Sequence, residues 1–274
     1  MRTDYRHRSR TRRGFHVIAF IVLVFPAIAR AQQPFVTDNT DVTPRHRFHF
    51  EFSNEIDWLQ RSAFPSRRQN TADFEIDYGL FHDVEIGVEF PFLTIFNYRS
   101  SGLGSPTGLG DTNLSLKYNF LSEREHSRGP ALAIALNLEL PTGNTKKQLG
   151  SGLSDFYMNG VLQKSLTRRT TLRTNGGVLF SGNETTGVIG VKTRGTVLTA
   201  GASVVRQFTA KLDLGVEVTG AKSGNVGLSK GQLQTLLGGN YRLHQKLSLD
   251  FGLVAGKYEA SPRFGIQLGI SFDQ

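Results

Sequence analysis

The stretch that decides the fold is 108-GLGDTNLSLKYNFL-121. After Asp111, the residues Thr112, Leu114, Leu116, Tyr118 and Phe120 alternate with Asn113, Ser115, Lys117 and Asn119. Successive side chains of a β-strand point to opposite faces, so this segment has one apolar face and one polar face, with a lysine near the middle of the polar one. The architecture follows from which solvent each face meets.

The same period of two recurs on both sides. Phe48, Phe50, Phe52, Ile56 and Trp58 alternate with His49, Glu51, Ser53, Glu55 and Asp57. Phe74, Ile76, Tyr78 and Leu80 alternate with Asp73, Glu75 and Asp77, and Val84, Ile86, Val88, Phe90 and Phe92 with Glu85, Gly87 and Glu89. Leu132 to Leu140, 155–165, 171–180, 196–206, Leu212 to Val218, Leu233 to Leu243, Leu247 to Leu253 and Phe264 to Phe272 continue the pattern, although the facing of 196–206 is not fixed by its residues. This predicts twelve strands, each about 9 to 12 residues long. Short turns (81–83, 167–170, 244–246) trade places with longer glycine-rich links (93–108, 141–154, 220–231), the rhythm of an up-and-down meander. No linker or composition shift marks a second domain.

In a soluble sandwich the apolar faces would meet and alternation alone would be explained. Two features argue against that. Strands of about ten residues exceed the usual five or six, and the apolar faces are long, unbroken and rich in Leu, Phe, Ile and Val. A transmembrane barrel needs strands of about 9 to 11 residues with apolar side chains outward, and a lysine facing lipid at mid-depth costs roughly 2–4 kcal/mol that a wet lumen does not exact. The expected fold is therefore all-β, an antiparallel up-and-down transmembrane β-barrel of about twelve strands, with short periplasmic turns, longer extracellular loops and Lys117 inside.

The N-terminus fits an exported chain. A basic MRTDYRHRSRTRRGF, an apolar VIAFIVLVFPAIA and Ala29-Arg30-Ala31 read as a signal peptide over residues 1–31, cleaved after Ala31, ahead of a barrel domain over 32–274. Thr11-Arg12-Arg13-Gly14-Phe15 also resembles a twin-arginine export motif. No stretch reaches the roughly 18 to 20 apolar residues of a spanning helix. Taking the leader's seven arginines and one aspartate from the 32 basic and 23 acidic residues reduces the formal charge from +9 to +3. A nucleic-acid partner loses its support. With no cysteine, stability has to come from burial or from hydrogen bonding that closes on itself.

The polar faces supply the candidate lumen residues. Strands one to three contribute Glu51, Glu55, Glu75, Asp77, Glu85 and Glu89, and later strands contribute Lys117, Arg173, Arg242 and Arg263. Facing groups of charge set the selectivity of pores, and Glu89 with Lys117 are the candidates for a constriction; the alternative is that these residues pair across the lumen and close it. Twelve strands lie between the eight that side chains can fill and the sixteen that leave an aqueous channel. No metal-ligand spacing, cofactor motif or nucleophile with its base is evident, so neither cofactor nor catalytic site is expected. Trp58 and Tyr98 read as interface aromatics.

GLGDTNLSLKYNFL, then PALAIALNLELPTGN, then LGSGLSDFYMNG together resemble the family labelled "MetA-pathway of phenol degradation", outer-membrane proteins described as transporters. The resemblance runs from the first strand to the C-terminus and is sharpest over Gly108 to Gly160. It implies uptake of a small solute, aromatic by the family's label, with outer-membrane lipid and the assembly machinery as partners in the bacterial outer membrane. One departure is that Phe272 stands two residues short of the end, where such barrels finish on an aromatic. A lipid hydrolase and a closed structural or adhesive barrel are the competing functions.

Overall fold

The computed structural model describes residues 34–274 apart from 64–65, 98, 100–101, 103, 124–128, 184–193, 224–230 and 259. The expected leader and Tyr98 lie outside the described residues. The strands are β1 (Phe48–Trp58), β2 (Ser66–Gly79), β3 (Val84–Asn97), β4 (Thr107–Leu109), β5 (Thr112–Leu121), β6 (Ala131–Leu140), β7 (Asp155–Thr167), β8 (Thr170–Asn183), β9 (Arg194–Gln207), β10 (Leu212–Ser223), β11 (Gln232–His244), β12 (Leu247–Gly256) and β13 (Phe264–Asp273). Every sheet pairing is antiparallel, and β1 pairs with both β2 and β13, so the sheet closes. Closure removes the unpaired edges that an open sheet would present.

The barrel has twelve places for thirteen strands. β4 pairs with Phe92 to Thr94 of β3, and β5 with Val84 to Glu89, so the two share one place, interrupted at Gly110-Asp111. The expected link 93–108 is therefore partly strand. Leu93 and Ile95 are apolar on the inward face, which hides the alternation there, and Ile95 is buried.

The β2–β3, β5–β6, β7–β8, β9–β10 and β11–β12 connections leave from the end of the barrel that holds Phe48 and Asp273, hence both chain ends of the barrel; the β1–β2, β3–β4, β6–β7, β8–β9, β10–β11 and β12–β13 connections leave from the other. In outer-membrane barrels the short-turn end is periplasmic and the long-loop end extracellular.

The distribution of side chains is inside-out. Leu116 is 39% exposed and Leu268 61%, whereas Lys117 is 4% exposed and Glu51, Asp77, Glu85, Asp155, Glu217 and Asp250 are buried. β9 follows suit, with Val197 and Ser203 buried and Leu198 and Val204 exposed, which settles the facing of that strand. The outward surface is banded. Phe48 packs on Tyr78 (ring centroids 4.8 Å apart) at the periplasmic end, Phe52 on Phe74 (4.9 Å) midway, and Trp58 on Phe264 (5.6 Å) at the extracellular end. From Phe48 to Trp58 is ten residues; at about 3.3 Å each and a tilt near 40° that is roughly 25 Å, the height of a transmembrane apolar band. Asn54 and Asn70 interrupt the band near its upper edge, hydrogen-bonded to one another and to neighbouring backbone carbonyls.

Candidate functional site

The register gathers carboxylates from distant parts of the chain into one inward belt. Glu51 lies opposite Glu75, Glu75 opposite Glu89, Glu89 opposite Asn113, Asn113 opposite Glu139, and Glu139 opposite Asp155. Flanking rows carry Asp73 beside Ser53 and Asp77 beside His49. Glu55 and Asp57 both border Gly265. Glu89 accepts a hydrogen bond from the Asn113 amide at 3.1 Å. One oxygen of Glu51 is buried without a hydrogen-bond partner, while the other lies 3.4 Å from His49 Nε2. His49 Nδ1 is 2.7 Å from Asp273 Oδ1, so both ring nitrogens face carboxylates. Among the described residues no group of three or more His, Asp or Glu is arranged to hold a metal ion.

The cations are placed less uniformly. Lys117 Nζ is 3.1 Å from Glu85 Oε1, across the strand pair, and 3.2 Å from Asp38 Oδ1. Arg173 lies opposite the buried Ser203, and it and Arg242 are both in electrostatic reach of Asp213. Arg242 stands near the periplasmic rim, its guanidinium donating to the Ala210 carbonyl at 3.2 Å. Arg263 has the inward parity of β13 but precedes the strand, exposed at the extracellular rim, where its N–H donates to the Trp58 carbonyl.

Asp38 belongs to a feature that sequence reasoning missed: residues 34–44 cross the lumen. At one wall Glu217 accepts the N–H groups of Val36 (3.1 Å) and Thr37 (2.5 Å) as well as the Thr37 hydroxyl, which is also hydrogen-bonded at 2.6 Å to Ser203 Oγ. Phe35 packs into a pocket of Leu236 and Val254 with Val205 beside it, three apolar side chains of the inward wall. Pro34 lies so close to Gly238 that a Cβ there would overlap it. At the other wall Asn119 donates to the Thr40 carbonyl (2.7 Å), and Glu85 accepts both the N–H and the hydroxyl of Thr43 (2.6 Å each). His46, at a φ of 61°, turns the chain out of the lumen into β1, with its N–H on the Gly79 carbonyl. Residues 34–44 are PFVTDNTDVTP, without period-two alternation, so the pattern that marks the strands does not mark this segment.

At the extracellular mouth the two quoted motifs dock on each other. The buried Asp111 accepts the N–H of Gly143 (2.8 Å) and of Ser151 (2.8 Å). The Thr142 hydroxyl donates to the Gly110 carbonyl (3.0 Å) and its oxygen accepts from the Thr112 N–H (2.9 Å). Leu149 is buried beneath, and a Cβ at Gly150 would land on the Asp111 carboxylate. The Gly-Leu-Gly-Asp and Leu-Pro-Thr-Gly segments thus hold the 141–151 loop against the barrel end.

Comparison with known proteins bears on the fold and the family. No curated protein matches the chain. Among solved structures, the COG4313 outer membrane channel from Pseudomonas putida F1 superposes with a TM-score of 0.65 at 13% identity, covering 86% of this chain and 98% of that one. The KdgM porin superposes with a TM-score of 0.54 at 8% identity over 82% of this chain and 98% of its own. At such identities the likeness is one of fold, that of outer-membrane barrels. Residues 69–273 match the family described as "Putative MetA-pathway of phenol degradation", and the chain belongs to that family.

Proposed function

We propose that the mature chain, beginning at Gln32 after removal of the leader, is a passive outer-membrane channel for a small solute. Its path runs between the carboxylate belt and the segment 34–44. The observation that carries this reading is the belt itself: Glu51, Glu75, Glu89, Glu139 and Asp155 in register along half the wall. A barrel with no passage would have little reason to place so many like charges side by side, since such neighbours repel. Rings of carboxylates favour cations in pores, so the solute is neutral or cationic. The family's label adds small hydroxylated aromatics as the class to try first, neutral phenols ahead of aromatic acids. Cleavage at Ala31 is supported by the position of Pro34 inside the barrel, where a retained 31-residue leader would have to be threaded through the lumen.

The same reading makes the chain a non-enzyme. Both nitrogens of His49, the histidine buried in the lumen, are taken up by carboxylates, so this side chain has no ring nitrogen left to activate a hydroxyl. The closed structural barrel remains the second reading, favoured by the number of hydrogen bonds that hold residues 34–44 in place. Bilayer recordings under a salt gradient separate the two. A channel gives discrete steps whose reversal potential is cation-selective and moves toward zero in Glu75→Gln/Glu89→Gln; a folded protein without steps supports the closed barrel.

A further inference from the structure

At the extracellular rim of β1 to β3 lies a cavity of about 720 Å³ whose lining includes Trp58, Arg67, Arg68, Phe96, Asn97 and Arg99. Its Trp58, Arg68 and Phe96 stand on the outward face of the sheet. Trp58 is in register with Arg68, and Arg68 with Phe96, on the outward face that carries the Phe52 and Phe74 pair lower down. The Arg68 guanidinium sits 4.4 Å above the Phe96 ring centroid. All three arginines are exposed, and among the described residues none has a carboxylate within ion-pair distance.

Three guanidinium groups thus converge beside aromatic side chains at the rim. Arginine in such a setting is suited to phosphate, which its planar fork can bind through two parallel hydrogen bonds while its face stacks on a ring. Depth then selects the source of the phosphate. The row of Trp58, Arg68 and Phe96 lies roughly 25 Å above the row of Phe48 and Tyr78, where the far headgroup layer begins. Basic pockets at that level bind anionic lipid headgroups, whereas a solute on its way to the lumen would meet the opposite face of these strands. We infer that this cavity is a binding site for a phosphate-bearing glycolipid of the outer leaflet, held by Arg67, Arg68 and Arg99 against Trp58 and Phe96.

The test uses the folded mature protein in detergent, freed of lipid and mixed with bis-phosphorylated lipid A, with the adduct read by native mass spectrometry. Arg67→Ala/Arg68→Ala/Arg99→Ala is compared with Arg168→Ala/Arg169→Ala/Lys211→Ala, which removes the same charge from the periplasmic end. The expected result is a one-to-one adduct in the native protein, weakened at least tenfold in the first variant and unchanged in the second. Arg68→Lys, which keeps the charge and loses the fork, falls between. Lipid A stripped of phosphate should bind the native protein no better than the intact lipid binds the first variant, and millimolar inorganic phosphate should not displace the lipid. The inference is overturned if the native protein forms no adduct, if both triple variants lose it equally, if the stripped lipid binds as well as the intact one, or if inorganic phosphate displaces it. Heat-modifiable migration on gels verifies that each variant is folded; Arg67→Ala and Arg99→Ala singly replace the triple variant if it is not.

Discussion

Replacing Glu217 by alanine should release the lumen segment while leaving the barrel intact. The carboxylate accepts three hydrogen bonds from Val36 and Thr37. Hydrogen bonds to charged groups contribute about 1.5–3 kcal/mol each. Because the three share one carboxylate, the lower figure is the appropriate one, giving about 4.5 kcal/mol for the set. Each 1.4 kcal/mol is a factor of ten in an equilibrium, so the population with residues 34–40 out of the lumen rises by roughly a thousandfold. Phe35 in its apolar pocket, worth about 1.5–3 kcal/mol, and the Thr43 contacts with Glu85 remain, so the segment opens without being lost. The chain has no cysteine, which makes Asn39→Cys a clean reporter: the side chain is buried at 2% exposure in the docked segment. The rate of modification by a hydrophilic thiol reagent, measured at reagent concentrations where opening and closing are fast relative to modification, should rise at least a hundredfold in Glu217→Ala. It should rise far less in Glu217→Gln, which keeps one acceptor oxygen. A rate within twofold of the parent, in protein that still resists detergent when unheated, would mean that Glu217 does not hold the segment.

Four further outcomes are expected. Leu116→Arg, on the outward face, should cost about 2–4 kcal/mol of folding stability in phospholipid vesicles, read from urea unfolding, and an unchanged midpoint would refute the assigned facing. Asp111→Ala should free the 141–151 loop and open the Lys146–Lys147 bond to trypsin, with cleavage no faster than in the parent as the contrary result. Lys117→Glu sets a fourth carboxylate beside Asp38, Asp77 and Glu85; it should lower folding yield or expel the segment, seen as faster Asn39→Cys labelling. At the periplasmic turn, the Lys164 ammonium holds the Glu123 carboxyl below the usual carboxylate range. A depressed folded value gives stability that is full above the unfolded carboxylate range and lost as pH falls through the folded one. Hydrogen exchange around 121–123 should therefore rise on acidification below about pH 4, and Glu123→Gln should abolish that dependence.

The barrel was legible because its code is local: a residue two positions on faces the same way, so Leu114, Leu116 and Tyr118 declare the lipid and Ser115 and Lys117 the lumen without reference to any partner. The facing of β9 was not, since Thr199, Ala200, Gly201 and Ala202 have too little polarity contrast to mark either side. Lys117 is buried on the inward face, where the cost of a charge in lipid would put it, but its partner Asp38 is 79 residues away and carries no periodic signal. Likewise Thr37 and Glu217 are 180 residues apart, and only the fold brings them together. The acidic belt extends beyond the expected Glu51, Glu75 and Glu89 to Glu139 and Asp155, because membership depends on strand register, which a single sequence leaves open. Arg263 shows the limit of parity: its position in the alternation points inward, but the strand begins one residue later.

The central claim, a passage bordered by the carboxylate belt and by residues 34–44, is most directly tested by locking the segment. Thr37 Oγ1 and Ser203 Oγ are 2.6 Å apart, so Thr37→Cys/Ser203→Cys should form a disulfide in a chain that otherwise has no cysteine. Single-channel conductance of this variant in a planar bilayer, recorded oxidised and then reduced in the same membrane, is the measurement. The account predicts small, steady, cation-selective steps in the oxidised form and larger, fluctuating ones after reduction. A bilayer that stays silent in both forms, with the barrel folded and the disulfide verified, would contradict it.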